Sequence, residues 1–188
     1  LALAEAVANE AALVRSLVGL ANVLSERSEY EEALTHSRRA SEVADAAFPE
    51  GDPNRASGRI LAGGAARALG RPEEALAAFT EARDLLRDAG HGSHPNLAYA
   101  EVGFAQALLD LDRAAEALPI LVRTAEGLEP SADLFVAVHV ATAAAHAALD
   151  QPARADDALA RAERAATDEA ASARLEAERS HYAALSKR

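Results

Sequence analysis

Apolar residues recur at spacings of three and four along most of the chain, as in SLVGLANVLSER (Ser16 to Arg27) and EVGFAQALLDL (Glu101 to Leu111). That period predicts helices with one face turned to a core, and no stretch alternates with the period of two that a half-buried strand requires. After each such segment comes a short polar turn and a second helical segment, for example EEALAAFTEARDLL (Glu73 to Leu86). The repeating unit is helix, tight turn, helix. Between units stand Pro49, Gly51 and Pro53, then Gly90, Gly92 and Pro95, then Pro130. Proline lacks an N–H and fixes its backbone angle, so helices are expected to stop at or before these points. The result is eight helices in four antiparallel pairs. A ninth follows from Asp168, with Ala171, Leu175, Glu178 and Tyr182 on one face and charge on the other, as suits the end of a stack.

The units repeat in sequence as well as in kind. SEYEEAL (Ser28 to Leu34), GRPEEAL (Gly70 to Leu76), DRAAEAL (Asp112 to Leu118) and DQPARAD (Asp150 to Asp156) align on Ala33, Ala75, Ala117 and Ala155, which are 42, 42 and 38 residues apart. Self-similarity at such a period marks a repeat architecture. Small residues also recur at Ala21, Gly63, Ala105 and Ala143, and at Ala40, Ala82, Thr124 and Ala162. Eleven of these twelve are Ala or Gly, Thr124 being the departure. Helices packed about 8–10 Å apart leave no room for a large side chain where they cross.

This pattern resembles the tetratricopeptide repeat, in the 42-residue form of the kinesin light chain. HGSHPNLA (His91 to Ala98) is similar to the His-Pro linker of that form; FPEGDPNRA (Phe48 to Ala56) keeps the Pro alone, and EPSADLF (Glu129 to Phe135) is shortened. The resemblance implies an all-α fold, a right-handed α-solenoid of antiparallel helix pairs closed by a C-terminal capping helix. The expected division of this single domain is residues 1–12 as the tail of a preceding repeat, 13–54, 55–96, 97–134 and 135–167 as four repeats, and 168–188 as the cap. A chain that begins at Leu1 rather than Met is also expected to be part of something larger.

Composition narrows the function classes. Of 188 residues half are hydrophobic but only 4% aromatic, and about a quarter are Ala, an excess that helices house most cheaply. There is no Cys, which removes disulfides, thiolate zinc sites and Cys nucleophiles. The formal net charge of −11 argues against nucleic-acid backbones and anionic membranes as partners. No apolar run approaches a membrane span, and the N-terminus has no signal-peptide pattern, so a soluble cytoplasmic protein is expected.

Candidate chemistry is sparse. His91 and His94 have a ligand-like spacing, but no Cys or clustered carboxylate completes a metal site. His139 and His146 share a helix face, and packing accounts for both. Gly-X-Ser-X-Gly, phosphate-loop and HExxH patterns are missing, so no catalytic residue and no cofactor is assigned. The Gly63-Gly64 pair sits inside a helical pattern, where close helix contact explains it. Acidic residues such as Glu31 and Glu32 open second helices, where negative charge suits the helix dipole.

Function therefore points to binding. Solenoids of this kind present their first helices along an extended concave surface. The family resemblance implies groove positions at Arg15, Val18, Asn22 and Ser25, at Ser57, Ile60, Gly64 and Arg67, and at Tyr99, Val102, Gln106 and Leu109. The fourth repeat supplies only Ala137, Val140, Ala144 and Ala147. Asn22 and Gln106 are expected on an open face, where side-chain amides both donate to and accept from a peptide backbone. Arg15 and Arg67 point to an acidic or C-terminal carboxylate ligand, with Glu26 and Asp110 nearby to oppose it. The expected activity is a protein-interaction scaffold that binds a peptide or partner segment without chemistry. The Ala- and Arg-rich, Lys-poor composition looks like that of a high-GC bacterium, where the family resemblance implies an alternative, a regulatory or sensor domain of a larger Ser/Thr kinase or transcription regulator; a self-associating structural module is the other, so a homo-oligomer stays open.

Overall fold

Each of the four turns picked out by the repeat is closed by a residue in the left-handed conformation: Ser28 (φ 62°), Gly70 (φ 71°), Asp112 (φ 58°) and Asp150 (φ 55°). The hydrogen bonding repeats with them. The N–H groups of Glu29, Arg71, Arg113 and Gln151 each donate at 2.9 Å to the carbonyl five residues back, on Leu24, Ala66, Leu108 and His146. Those of Ser28, Gly70, Asp112 and Asp150 donate three residues back. This is the Schellman arrangement, which satisfies the last carbonyls of one helix and aims the chain into the next.

The computed structural model describes residues 2–92, 94–129, 133–167 and 169–185, and places no strand among them. Its helices are α1 (Ala2–Glu26), α2 (Tyr30–Ala47), α3 (Asn54–Ala68), α4 (Pro72–Asp88), α5 (Pro95–Asp110), α6 (Ala114–Glu126), α7 (Asp133–Ala148), α8 (Pro152–Ala165) and α9 (Glu169–Leu185). α1 runs unbroken through the junction expected after residue 12, since no Pro or Gly precedes Gly19 to interrupt it. Leu1, Pro130 and Asp168 lie outside the described residues, as do the side chains of Ala171, Glu178 and Tyr182. No described helix is long and apolar enough to cross a membrane.

The chain forms two compact units, residues 1–103 and 104–188, with the boundary inside α5. In the first, α1 packs on α2, α2 on α3 and α3 on α4, a sequential stack of antiparallel helix pairs. The small residues stand at the crossings: Ala21, Ala33, Ala40, Ala75 and Ala82 have no exposed surface. Glycine is required at Gly58, where a Cβ would come within 2.8 Å of the Ser37 carbonyl oxygen and of the Ser41 amide nitrogen on α2. Phe79 of α4 fills the space left by two further glycines, its ring atoms lying 2.8 Å and 2.2 Å from where the Cβ atoms of Gly63 and Gly103 would be.

In the second unit α7 packs against α6, α8 and α9. Ala105, Ala117, Thr124, Ala143 and Ala162 are buried at their repeat positions, while Ala155 is half-buried. α9 covers α7 through Leu175, which is buried with Val136, Val140 and Ala162. Polar contacts that hold it include Arg179 to Glu163 of α8 at 2.7 Å and His181 Nε2 to Asp110 Oδ1 of α5 at 2.8 Å.

Candidate binding surfaces

The first helices of the first unit carry the expected face at positions three and four apart. On α1, Arg15 and Asn22 are exposed, and Val18 and Ser25 half-buried. Val18 packs at the edge of the Val14, Val43 and Ala44 cluster, and the Ser25 hydroxyl donates back to the Ala21 carbonyl at 2.9 Å. On α3, Ser57, Ile60 and Arg67 are half-buried, while Gly64 is exposed with open space where its Cβ would be. The Asn96 side-chain amide donates to Ser57 Oγ at 3.2 Å. Tyr99 of α5 is 48% exposed.

The rest of the face differs from expectation. Val102, Gln106 and Leu109 are buried, at 2%, 8% and 7% exposure, and so do not offer the open surface assigned to them. The reason is α5 itself, where Leu97, Ala100, Ala105, Ala107 and Leu108 are also buried and even Glu101 is covered, leaving Tyr99 exposed near its start. A helix whose apolar residues spread beyond one stripe packs against more than one neighbour. α7 behaves alike, and Ala137 and Val140, its counterparts of the groove positions, are buried, Val140 against α9. A further surface went unassigned. Leu13, Leu20 and Val23 are exposed along one line of α1, legible in retrospect as apolar residues at i, i+7 and i+10.

The linker histidines have structural partners. His91 Nε2 lies 2.9 Å from the Gly51 carbonyl oxygen, and His94 Nδ1 accepts the Asn96 N–H at 3.1 Å, capping the start of α5. Among the described residues no three His, Asp or Glu side chains are grouped to hold a metal ion.

On the seam formed by α2, α3 and α4, charge pairs cross between helices. Arg38 pairs with Glu74, while Asp45 receives Arg55 at 2.9 Å and Arg59 at 2.7 Å. Arg59 also reaches Glu81 at 3.1 Å. Burial works against the Asp45 carboxylate, but the Arg59 and Arg55 guanidiniums outweigh it and hold its carboxyl below the ordinary value. The matching seam of the second unit, formed by α6, α7 and α8, holds a pocket of about 470 Å3. His139 lines it, 6% exposed, edge-on to the Phe135 ring with centroids 4.2 Å apart. Its Nδ1 has no hydrogen-bond partner among the described residues. Burial, then the Arg161 charge, pushes this imidazole below its usual pKa, with Asp157 opposing, so it is held neutral.

Among the described residues the helices form stacked antiparallel pairs with a trailing cap, an all-α arrangement consistent with a helical-repeat solenoid. Residues 10–88 match the sequence profile of the tetratricopeptide repeat family. Among solved structures, the chain is similar to nearly identical TPR-like repeats of a candidate kinesin light chain from Podosopora anserina, at 16% identity over 81% of this chain and 94% of that one, with a TM-score of 0.38. A single-substitution variant of those repeats is similar at 16% identity over 81% of this chain and 93% of that one, with a TM-score of 0.40. No curated protein matches the chain.

Proposed function

We propose that the chain is a cytoplasmic protein-interaction scaffold that holds a peptide or partner segment along the first-helix face of its first unit and performs no chemistry. The face comprises Arg15, Val18, Asn22 and Ser25 of α1, Ser57, Ile60, Gly64 and Arg67 of α3, and Tyr99 of α5. The observation that carries this reading is the space at Gly64, where no atom stands within 4 Å of an added Cβ. A backbone without a side chain lets another chain approach closely. Half-buried Val18 and Ile60 supply apolar contact, and the Asn22 amide supplies a donor and an acceptor for an extended backbone. Gln106 leaves the proposed face, because it is buried and its side chain is not available to a ligand without rearrangement.

The test starts from peptides selected from a random display library against the full chain. Asn22→Ala is expected to weaken a selected peptide by about 0.5–1.5 kcal/mol, the worth of one hydrogen bond. Gly64→Arg, which fills the open space, is expected to abolish binding while leaving the helical signal unchanged. Binding that survives both changes would refute the reading.

A second reading is self-association through Leu13, Leu20 and Val23, favoured by their exposure on one line of α1. Light scattering that grows with concentration and disappears in Leu20→Lys would favour it. That the chain serves as the sensor part of a larger bacterial signalling protein rests on its composition and on the family resemblance.

A further inference from the structure

The two seams described above occupy the same repeat positions, and comparing them residue by residue shows a change of sign. Positions on α2 recur on α6 after 84 residues, and those on α3 and α4 recur on α7 and α8 after 80. Where α2 carries Arg38, α6 carries Val122; where α4 carries Glu74, its partner, α8 carries Arg154. Where α3 carries Arg59, α7 carries His139; where α4 carries Glu81, α8 carries Arg161. In the first unit both of these pairs, together with those of Asp45, close the seam. In the second, two arginines stand where acids stood, facing Val122 and a neutral imidazole in place of their counter-charges.

We infer that this pocket of the second unit is a binding site for a single carboxylate borne on a short apolar body. The site goes beyond the first-helix face, which is built from other residues of other helices. Arg154 bonds the neutral Gln151 amide at 3.3 Å and has no acidic partner among the described residues, while Arg161 is paired with one oxygen of Asp157 on its own helix, leaving part of its guanidinium for a ligand. His139 brings a nine-tenths buried ring nitrogen that lacks a partner among the described residues. Nδ1 itself has almost no exposed surface, so a carboxylate bonds it only after the ring turns, the proton then on Nδ1 as the donor. Phe135 and Val122 supply the apolar wall. The volume suits a small ligand or one protein side chain. Glu126 and Asp157 also border the pocket, and their charge selects one negative charge over a phosphate-like dianion.

Two sources share this chemistry, a free carboxylic acid and a glutamate side chain of a partner, and the test has an arm for each. The full chain is titrated with 4-methylpentanoate and with its amide, and with the blocked peptide acetyl-Ala-Glu-Ala-amide and its Gln form, following the His139 ring and the α7 amides by NMR. At least one acid is expected to shift these resonances saturably, with its amide about tenfold or more weaker, a factor of ten being about 1.4 kcal/mol. If the peptide binds more tightly, the source is a protein side chain; if the free acid does, it is a small molecule. Arg161→Gln is expected to weaken either acid about tenfold. Val122→Arg combined with Arg154→Glu rebuilds the first unit's ion pair and is expected to remove binding with no loss of thermal stability. Acid and amide binding alike, phosphate binding as well as the monocarboxylates, or no saturable shift with any probe would overturn the inference.

Discussion

Two chemically identical substitutions six residues apart in α3 should have opposite effects. Gly58→Ala and Gly64→Ala both gain helix propensity, worth about 1 kcal/mol in a helix interior. At Gly64 nothing opposes the gain, because the added methyl meets open space, and a stabilisation of about 0.5–1 kcal/mol is expected. At Gly58 the methyl would sit 2.6 Å from Ser41 Oγ, 2.8 Å from the Ser37 carbonyl oxygen and 2.8 Å from the Ser41 nitrogen. The hydroxyl can rotate away; the two backbone atoms cannot. Relief of contacts this far inside the usual ~3.5–4.0 Å separation requires α2 and α3 to part by roughly 0.5–1 Å. Overpacking of that size costs about 1–3 kcal/mol. Because the propensity gain cancels between the variants, the difference between them isolates the packing cost. Urea unfolding of both variants, with unchanged slopes, measures it as a shift in midpoint. Equal midpoints, or a more stable Gly58→Ala protein, would show that α2 and α3 do not cross at this glycine.

Ala75→Leu, at a crossing with no exposed surface, should lose about 1–3 kcal/mol, whereas Ala77→Leu on the exposed side of α4 should be nearly neutral; the same urea assay separates them. Ser28→Gly should raise the melting temperature, since a left-handed non-glycine residue costs about 1–2 kcal/mol and glycine's greater chain entropy offsets only part of it. The lowered pKa of His139 means that the unfolded chain takes up its proton first as pH falls below about 6.5. The histidine's contribution to stability is therefore full above that pH and is lost on acidification toward the folded-state value. His139→Leu should flatten that part of the profile, and an unchanged profile from pH 7.5 to 5 would refute the assignment.

The repeat was legible because its determinants are local. Ser28, Gly70, Asp112 and Asp150 mark the turns by backbone chemistry alone, and all four adopt the left-handed conformation there. The small residues at the crossings were equally legible, since sterics act one position at a time. Exposure was not. Val102 and Gln106 occupy groove positions by register, yet α5 is buried along most of its length, and register says nothing about how many neighbours a helix has. Val140 was likewise assigned to a groove but is covered by Leu175 of α9, a contact across a long sequence interval. The seam pocket was hidden for another reason. By its spacing His139 is a packing residue; its repeat counterpart, Arg59, carries an ion pair to Glu81, whose own counterpart is Arg161.

The central claim is that this chain binds a partner segment along α1, α3 and the start of α5. The most direct measurement is calorimetric titration of a display-selected peptide into the unaltered chain, into the Asn22→Ala and Gly64→Arg double variant, and into Arg39→Ala, a change at an exposed site on α2. The account predicts a loss of at least about 100-fold for the double variant, close to 2.7 kcal/mol, and no change for Arg39→Ala. Equal affinity for the double variant and the unaltered chain, with both folded, would contradict it.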